Sequence, residues 1–130
     1  MVCGIDIVEV CRIAAWIETR ERALGRFFTA QELAYSARHV KTRAATLAGI
    51  FAAKEAFYKA LGTGFRQGKW TDAEVAHTDL GAPYFIFHGL YVSLVSQYAE
   101  SPALSISHDG AYAIAQVVWN VPSVQEGETK

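Results

Sequence analysis

The sequence has few cysteines and no long apolar run, and each shortage excludes a class of protein. Its two cysteines, Cys3 and Cys11, fit neither a zinc motif nor a disulfide framework. The longest apolar stretch, residues 44–53, is alanine-rich and far shorter than the roughly 18 residues that a membrane span requires. No basic region precedes the apolar N-terminus, so we expect no signal peptide. These absences predict a soluble, cytoplasmic protein that has no membrane partner.

Length and composition are those of a globular domain. Hydrophobic residues make up 52% of the chain and charged residues 19%, and 130 residues are enough for one domain. The sequence contains no internal repeats and no low-complexity segment. Hydrophobic periodicity is lost only near the end, so we predict one domain over residues 1–119 and a flexible tail over residues 120–130.

The net charge of −1 hides an uneven distribution. Residues 1–69 carry a formal charge of +5, and residues 70–130 carry a charge of −6. Four arginines fall between Arg12 and Arg26, which favours an acidic or phosphate-bearing partner. Nucleic acid is not expected as a partner, because the isoelectric point is near 6.4 and basic residues are not interleaved with aromatic ones.

The first half of the chain is predicted to be mostly helical. After a strand over residues 3–10, four apolar side chains recur at helical spacing and define a first helix: Ile13, Trp16, Ile17 and Leu24. Thr29 and Glu32 then form a capping box, which begins a short second helix. The longest helix is predicted over residues 42–61 and ends at Gly62, since glycine is favoured just after a helix C-cap.

The second half is predicted to be mostly strands. The predicted strands cover residues 72–77, 84–87, 103–108 and 111–118, with a helix around residues 90–98 between the two pairs. Asp109-Gly110 joins the last pair and predicts a type I′ turn, which requires a positive φ at both positions. The order of elements, with at least one antiparallel hairpin, favours an α+β fold over a parallel doubly wound sheet.

Asp6 is the first candidate functional residue, because it lies between Ile5 and Ile7 in an apolar strand. A charge buried at that position must be paired with another charge or bound to a metal ion. The alternative is that Asp6 faces solvent on the outer side of the strand.

The longest helix and its surroundings supply further candidates. Glu55 lies at the border of the apolar face, and Lys59 follows one turn later, a spacing that also suits an ordinary surface ion pair. Lys54 projects into the middle of the apolar face, where it either extends past its neighbours or meets a buried anion. Gly62-Thr63-Gly64 is either a plain turn or an anion-binding loop. His108 is either structural or close enough to bind a phosphate.

An acid on a strand, an acid at a helix border and a lysine one turn later suit magnesium-assisted phosphoryl transfer. Mg²⁺ binds one or two carboxylates together with substrate phosphates, and the lysine neutralises charge that develops on the transferred group.

Three blocks of the sequence resemble the signature blocks of the holo-acyl-carrier-protein synthase family, the small single-domain type of 4′-phosphopantetheinyl transferase. They are GIDIVEVCRI at residues 4–13, FAAKEAFYKALGTG at 51–64 and LSISHDGAYAIA at 104–115. The resemblance runs over about residues 2–119. It implies a 4′-phosphopantetheinyl transferase fold, in which a small, mostly antiparallel sheet packs against a long helix.

The resemblance also implies an activity. The family transfers 4′-phosphopantetheine from coenzyme A to a serine of an apo acyl carrier protein of fatty acid or polyketide synthesis, and it releases adenosine 3′,5′-bisphosphate. It also implies a homotrimer with active sites between neighbouring subunits. Two other functions stay open: a paralogue that binds coenzyme A or a carrier protein without catalysis, and a metal-dependent hydrolase of coenzyme A.

The resemblance assigns a role to each candidate residue. Asp6 and Glu55 are expected to bind Mg²⁺, and Lys59 to lie beside the coenzyme A diphosphate, which makes Glu55 and Lys59 the catalytic residues. The further expected contacts with coenzyme A are Lys41, Arg43, Gly62, Thr63, Gly64 and His108, of which His108 is expected to reach the 3′-phosphate from the adjacent chain. Arg12 is expected to contact the acidic helix of the carrier protein. Ile50 stands where the family often has an arginine, so the nucleotide is expected to bind more weakly unless Lys41 or Arg43 compensates.

Overall fold

The computed structural model describes residues 1–62 and 67–121. Within these residues the elements are β1 (Val2–Glu9), α1 (Val10–Thr19), α2 (Leu24–Phe27), α3 (Ala30–Ala37), α4 (Arg43–Ala60), β2 (Ala73–His77), β3 (Pro83–Phe87), α5 (Leu90–Ser96), β4 (Ala103–Asp109) and β5 (Tyr112–Trp119). Their order confirms the predicted α+β fold. Thr63, Gly64 and residues 122–130 of the predicted tail lie outside the described residues.

The strands form two small antiparallel sheets. β5 is the central strand of the first sheet, with β1 and β4 on either side, and β2 pairs with β3 in the second. β1 and β5 pair along their whole length, from Val2 opposite Trp119 to Glu9 opposite Tyr112. Within the described residues, no helix combines the length and apolarity that crossing a bilayer requires.

Helix α4 is the centre of the core. Six apolar side chains are predicted to face inward from it, and five of them are buried, namely Leu47, Ile50, Phe51, Phe57 and Tyr58. The sixth, Leu61, is partly buried and packs against the core. β1 packs directly on this helix, because a Cβ atom at Gly4 would overlap the backbone carbonyl oxygen of Ala56. The absence of a side chain at Gly4 therefore lets the strand that carries Asp6 lie close against the helix turn that carries Glu55.

The first helix is shorter than its periodicity predicted. α1 ends at Thr19, because Arg20 leaves the helical backbone conformation with φ −137° and ψ 40°. A 3-10 turn, Glu21–Ala23, then separates α1 from α2. Leu24 therefore belongs to a different helix from Ile13, and the prediction of one continuous helix was wrong.

The β4–β5 turn also differs from its prediction. Asp109 pairs with Tyr112 as the last residue of β4, so the loop is Gly110-Ala111. Gly110 has a φ of 56°, whereas no other type of residue in the described chain has a positive φ. Glycine with a positive φ at the first central position alone is the pattern of a type II′ turn, so the predicted type I′ turn was wrong.

Lys54 meets a buried anion, which is one of the two alternatives that its position raised. The side chains of Lys54 and Glu32 are both fully buried, and Nζ lies 3.0 Å from Glu32 Oε2. Nζ also donates hydrogen bonds to two backbone carbonyls at 3.0 and 2.8 Å. Glu32 closes the predicted capping box with Thr29. This buried pair anchors α4 to α3 immediately before Glu55.

Candidate active site

Asp6 points into the protein and not into solvent. In β1 the buried residues are Gly4, Asp6 and Val8, whereas Ile5 and Ile7 are 53% and 60% exposed. Alternate side chains of a strand lie on opposite faces, so Asp6 shares its face with the residues that pack on α4. The solvent-facing alternative is therefore excluded, and the isoleucines are the residues that face outward.

Lys59 reaches from α4 across to β1. Its Nζ lies 2.9 Å from Asp6 Oδ1 and donates a second hydrogen bond, also of 2.9 Å, to the carbonyl oxygen of Ile5. The side chain remains 55% exposed, so the ammonium group is accessible to a ligand. Lys59 thus pairs with Asp6, and not with Glu55 as its helical spacing alone suggested.

Asp6 and Glu55, which we call the acid pair, fit a hard divalent cation. Asp6 Oδ2 is buried and has no hydrogen-bond partner among the described residues. A buried carboxylate oxygen without a partner is costly, and a cation would remove that cost. In residues 1–62 and 67–121, no group of three or more His, Cys, Asp or Glu side chains could hold a metal. Mg²⁺ would therefore take its other ligands from substrate phosphates and water.

The Glu55 carboxyl is partly buried, and its pKa is raised to about 7. Burial is the largest cause, and the neighbouring Asp6 carboxyl raises the pKa further. The positive charges of Arg12 and Lys59 act in the opposite direction. The two acids therefore resist being ionised together unless a cation lies between them.

This raised pKa predicts a pH-dependent effect of Glu55→Gln on the stability of the metal-free protein. Between the ordinary pKa near 4.5 and the folded-state pKa near 7, the folded protein binds more protons than the unfolded chain, so Glu55 costs stability as pH rises. We expect Glu55→Gln to be more stable than the wild type in urea unfolding with chelator at pH 8, with a smaller advantage at pH 5. The exposed Glu18→Gln is the control. An equal difference in the free energy of unfolding at both pH values would show that ionisation of Glu55 does not destabilise the folded protein.

Arg12 lies at the exposed edge of the same site. Its guanidinium group is 5.3 Å from the ring centre of Trp16 and 5.6 Å from that of Phe51, within range of a cation–π contact. Trp16 also stacks on Phe27 at 4.8 Å. The positive charge of Arg12 also lowers the pKa of Glu55. Sequence reasoning missed this aromatic cluster because its members come from three different helices.

A cavity of about 90 Å³ opens beside the aromatic cluster. It is lined by Trp16, Arg20, Ala23, Leu24, Arg26 and Phe27. Two arginines of the basic half therefore surround an apolar floor, and we call this feature the arginine-rimmed cavity.

A larger groove, of about 280 Å³, lies between the α3–α4 connection and the β2–β3 hairpin. We call it the histidine groove, because His39, His77 and His108 all line it. Ile50, the position that departs from the family pattern, lines it as well, whereas neither residue of the acid pair does. Of the three histidines, only His108 was singled out from the sequence. The other two come from distant segments, and no local spacing connects them.

The other predicted coenzyme A contacts lie near the ends of α4. Lys41 is exposed, and Arg43 has a buried Nε without a hydrogen-bond partner among the described residues. Neither lines the histidine groove, although Thr42 between them does. Gly62 follows α4 with a φ of 82°, which favours glycine. The predicted site residues thus fall into separate groups, one at the acid pair and others around the histidine groove and the end of α4.

Comparison with known proteins identifies the family. The model of the 4′-phosphopantetheinyl transferase superfamily matches residues 2–117. The chain therefore belongs to this superfamily. Within it, the chain is similar to enzymes named holo-[acyl-carrier-protein] synthase. The relative from Trichlorobacter lovleyi is 45% identical over 122 residues, which cover 92% of this chain and 96% of the relative.

Solved structures of the same enzyme share the fold. The holo-[acyl-carrier-protein] synthase from Neisseria meningitidis superposes with a TM-score of 0.78 at 30% identity and covers 90% of this chain and 97% of its own. The synthase from Bacillus anthracis in complex with CoA (3′,5′-ADP) superposes with a TM-score of 0.72 at 34% identity, and the match covers 89% of this chain and 92% of that chain. The family resemblance and the fold that it implied are thereby confirmed.

Proposed function

We propose that this protein transfers 4′-phosphopantetheine from coenzyme A to a serine of an apo acyl carrier protein. The serine oxygen bonds to the phosphorus that carries pantetheine, the phosphoanhydride bond breaks, adenosine 3′,5′-bisphosphate leaves, and the serine proton passes to solvent. The observation that carries this proposal is the acid pair, in which the unpartnered Asp6 Oδ2 neighbours Glu55 and Lys59 lies 2.9 Å from Asp6. We place the reaction in the cytoplasm, in fatty acid or polyketide synthesis.

Magnesium is the proposed cofactor, held by Asp6 and Glu55. When bound there, it supplies positive charge that stabilises the charge developing on the diphosphate. Lys59 is proposed to contact the same diphosphate, because its exposed ammonium group lies beside Asp6. Glu55 and Lys59 are therefore the proposed catalytic residues.

The histidine groove is the proposed site for the nucleotide of coenzyme A. It combines apolar side chains, including Ile50 and Ile106, with three imidazoles, which suits a purine and its phosphates. The proposed contacts with coenzyme A are Lys41, Arg43, Lys59, Gly62, Thr63, Gly64 and His108. The similar synthase from Bacillus anthracis was solved in complex with CoA (3′,5′-ADP) and that from Helicobacter pylori in complex with coenzyme A, which supports this donor. Because Ile50 contributes no charge, we expect binding of the nucleotide to depend on the surrounding basic side chains.

A homotrimer is the proposed assembly. The acid pair and the histidine groove are separate features of one chain, so we place the groove of one subunit against the acid pair of the next. The outer face of the three-stranded sheet supports association, because large apolar side chains are exposed on it, namely Ile5, Ile7, Tyr112 and Ile114. Burial of such a face between subunits would remove it from water.

Shared sites predict complementation between inactive variants. Glu55→Ala and His108→Ala chains should each be inactive alone. After subunit exchange, mixed trimers should regain part of the activity, because some interfaces combine an intact Glu55 with an intact His108. The measurement is the transfer rate of the mixture, with exchange verified by mass spectrometry of a tagged subunit. No recovery in exchanged trimers would place both residues in a site formed by one chain.

The arginine-rimmed cavity is the proposed docking point for the carrier protein, together with Arg12. Carrier proteins of this kind are acidic along the helix that begins at the modified serine, as the family resemblance implies. Arg20 and Arg26 line an apolar cavity, and Arg12 lies over the adjoining aromatic rings. An acidic amphipathic helix fits this surface, because its carboxylates meet arginines while its apolar side chains cover Trp16 and Phe27.

Reversing the charge of Arg12 should weaken binding of the carrier protein. We expect Arg12→Glu to raise the KM for the carrier by about tenfold, which corresponds to about 1.4 kcal/mol of lost interaction. The KM for coenzyme A should change little at saturating magnesium. Lys69→Glu is the control, because Lys69 is exposed and lies outside both the cavity and the group of four arginines. A raised KM for coenzyme A with an unchanged KM for the carrier would put the docking surface on the wrong face.

The activity is tested by incubating the protein with coenzyme A, magnesium and an apo carrier protein. The expected result is a carrier whose intact mass increases by one phosphopantetheine group, with no increase when the acceptor serine is replaced by alanine. Binding of coenzyme A and carrier without any mass increase would instead identify a non-catalytic binding protein.

A further inference from the structure

The histidine groove contains a stacked pair that no step of the proposed reaction uses. The rings of Tyr35 and His77 lie 3.9 Å apart and are parallel within 1°. Tyr35 comes from α3 and His77 from the end of β2, so the stack joins the two walls of the groove. His77 Nδ1 is buried and has no hydrogen-bond partner among the described residues. The imidazole is thus fixed in place while one of its nitrogens makes no hydrogen bond.

Among the described residues, the charges that act on His77 are positive. The groups that face it are the Tyr35 ring from α3, Arg38 and His39 from the segment after α3, and His108 from β4. Arg38 lies 5.3 Å above the Tyr35 ring. No aspartate or glutamate lines the groove within the described residues. Burial lowers the pKa of His77, and the positive charges of His39 and Arg38 lower it further. In the empty groove at neutral pH, His77 is therefore uncharged.

We propose that His77 recognises the 3′-phosphate of coenzyme A and takes up a proton when this phosphate binds. The inference rests on the proposed function, because it assumes that the groove receives the nucleotide. A phosphate monoester has a second pKa of about 6, so it is mainly a dianion above neutral pH. Such a dianion offsets the charges of His39 and Arg38, which oppose protonation of His77, and it offers an acceptor to the imidazolium. The proton comes from solvent.

This linkage gives the groove a way to select its ligand. A nucleotide that lacks the 3′-phosphate leaves His77 uncharged and forgoes the charge-assisted hydrogen bond. Because one proton is bound with the ligand, affinity should rise as pH falls, by at most about tenfold per pH unit while His77 is uncharged in the free protein. Protonation of His77, which is uncharged in the empty groove, therefore distinguishes ligands that carry the 3′-phosphate from ligands that lack it.

The test is calorimetric titration of the full chain with coenzyme A and with 3′-dephospho-coenzyme A, without metal or carrier protein. Repeating each titration at pH 7.0 in buffers of different ionisation enthalpy gives the number of protons taken up. The diphosphate is common to both ligands, so the excess uptake with coenzyme A reports the 3′-phosphate. We expect this excess in the wild type and its loss in His77→Gln. His88→Gln, which removes an imidazole outside the groove, should keep it.

Affinity provides a second readout from the same titrations. His77→Gln should bind coenzyme A about three- to tenfold more weakly than the wild type at pH 7.0, with little difference at pH 8.5. An unchanged excess uptake in His77→Gln, or equal uptake for both ligands in the wild type, would overturn the role of His77 while leaving coenzyme A binding intact. A wild-type protein that binds neither ligand, even after magnesium is added, would instead overturn the proposed function.

Discussion

Replacing either member of the acid pair should abolish transfer. We expect Asp6→Asn and Glu55→Gln each to lower turnover by a factor on the order of a thousand, because each removes one of two anionic ligands for the cation that stabilises the reacting diphosphate. Asp6 Oδ2 has no hydrogen-bond partner in the described residues, so it is available to the cation. The rate of carrier modification at ordinary magnesium concentrations is the measurement.

Fold stability separates loss of the site from loss of the protein. Neither substitution changes the shape of the side chain, and metal-free Glu55→Gln is expected to be more stable than the wild type above neutral pH. Glu18→Gln, on the exposed face of α1, should keep full activity. Near-normal turnover of either acid-pair variant would show that the two carboxylates do not hold the metal.

Removing the charge of Lys54 should have the largest effect on stability. Lys54→Met leaves Glu32 fully buried without its ion-pair partner, and loss of one member of a buried pair costs about 3–5 kcal/mol. Burial already raises the pKa of Glu32, and the charge of Lys54 opposes that rise. The free energy of unfolding in urea at pH 7 measures the effect. Lys41→Met, at an exposed lysine, is the control and should change stability little.

A second substitution tests the reason for that loss. Glu32→Gln in the Lys54→Met background removes the unpaired charge. The backbone N–H groups of Thr29 and Val75 donate to different oxygens of Glu32, so glutamine keeps an acceptor for only one of them. We expect the double variant to recover part of the lost stability. A double variant less stable than Lys54→Met alone would show that hydrogen bonds and packing, and not the buried charge, account for the effect.

The sequence was sufficient for features that depend on local patterns. Alternation identified β1, helical spacing identified the buried face of α4, and Gly62 marked its end as predicted. The capping box of Thr29 and Glu32 formed because both partners lie within one helical turn. The two local errors, at Leu24 and in the β4–β5 turn, arose where the backbone conformation of a single residue decided the outcome.

Features that depend on tertiary contacts could not be read in this way. Periodicity showed that Asp6 lies on the opposite face of β1 from Ile5, but not which face would be buried. The i,i+4 spacing suggested that Lys59 pairs with Glu55, whereas packing of β1 on α4 brings it to Asp6. The stack of Tyr35 on His77 joins segments more than forty residues apart, and nothing in either segment indicates the other.

The ratio of the two products in a single reaction distinguishes transfer of phosphopantetheine from hydrolysis of coenzyme A. Wild-type protein, coenzyme A, magnesium and apo carrier protein are combined, and modified carrier is counted by intact mass while adenosine 3′,5′-bisphosphate is counted by chromatography. We expect the two products to appear in equal amounts and neither to appear at a comparable rate with Asp6→Asn. Bisphosphate released without modified carrier would identify a hydrolase of coenzyme A and exclude the proposed transfer.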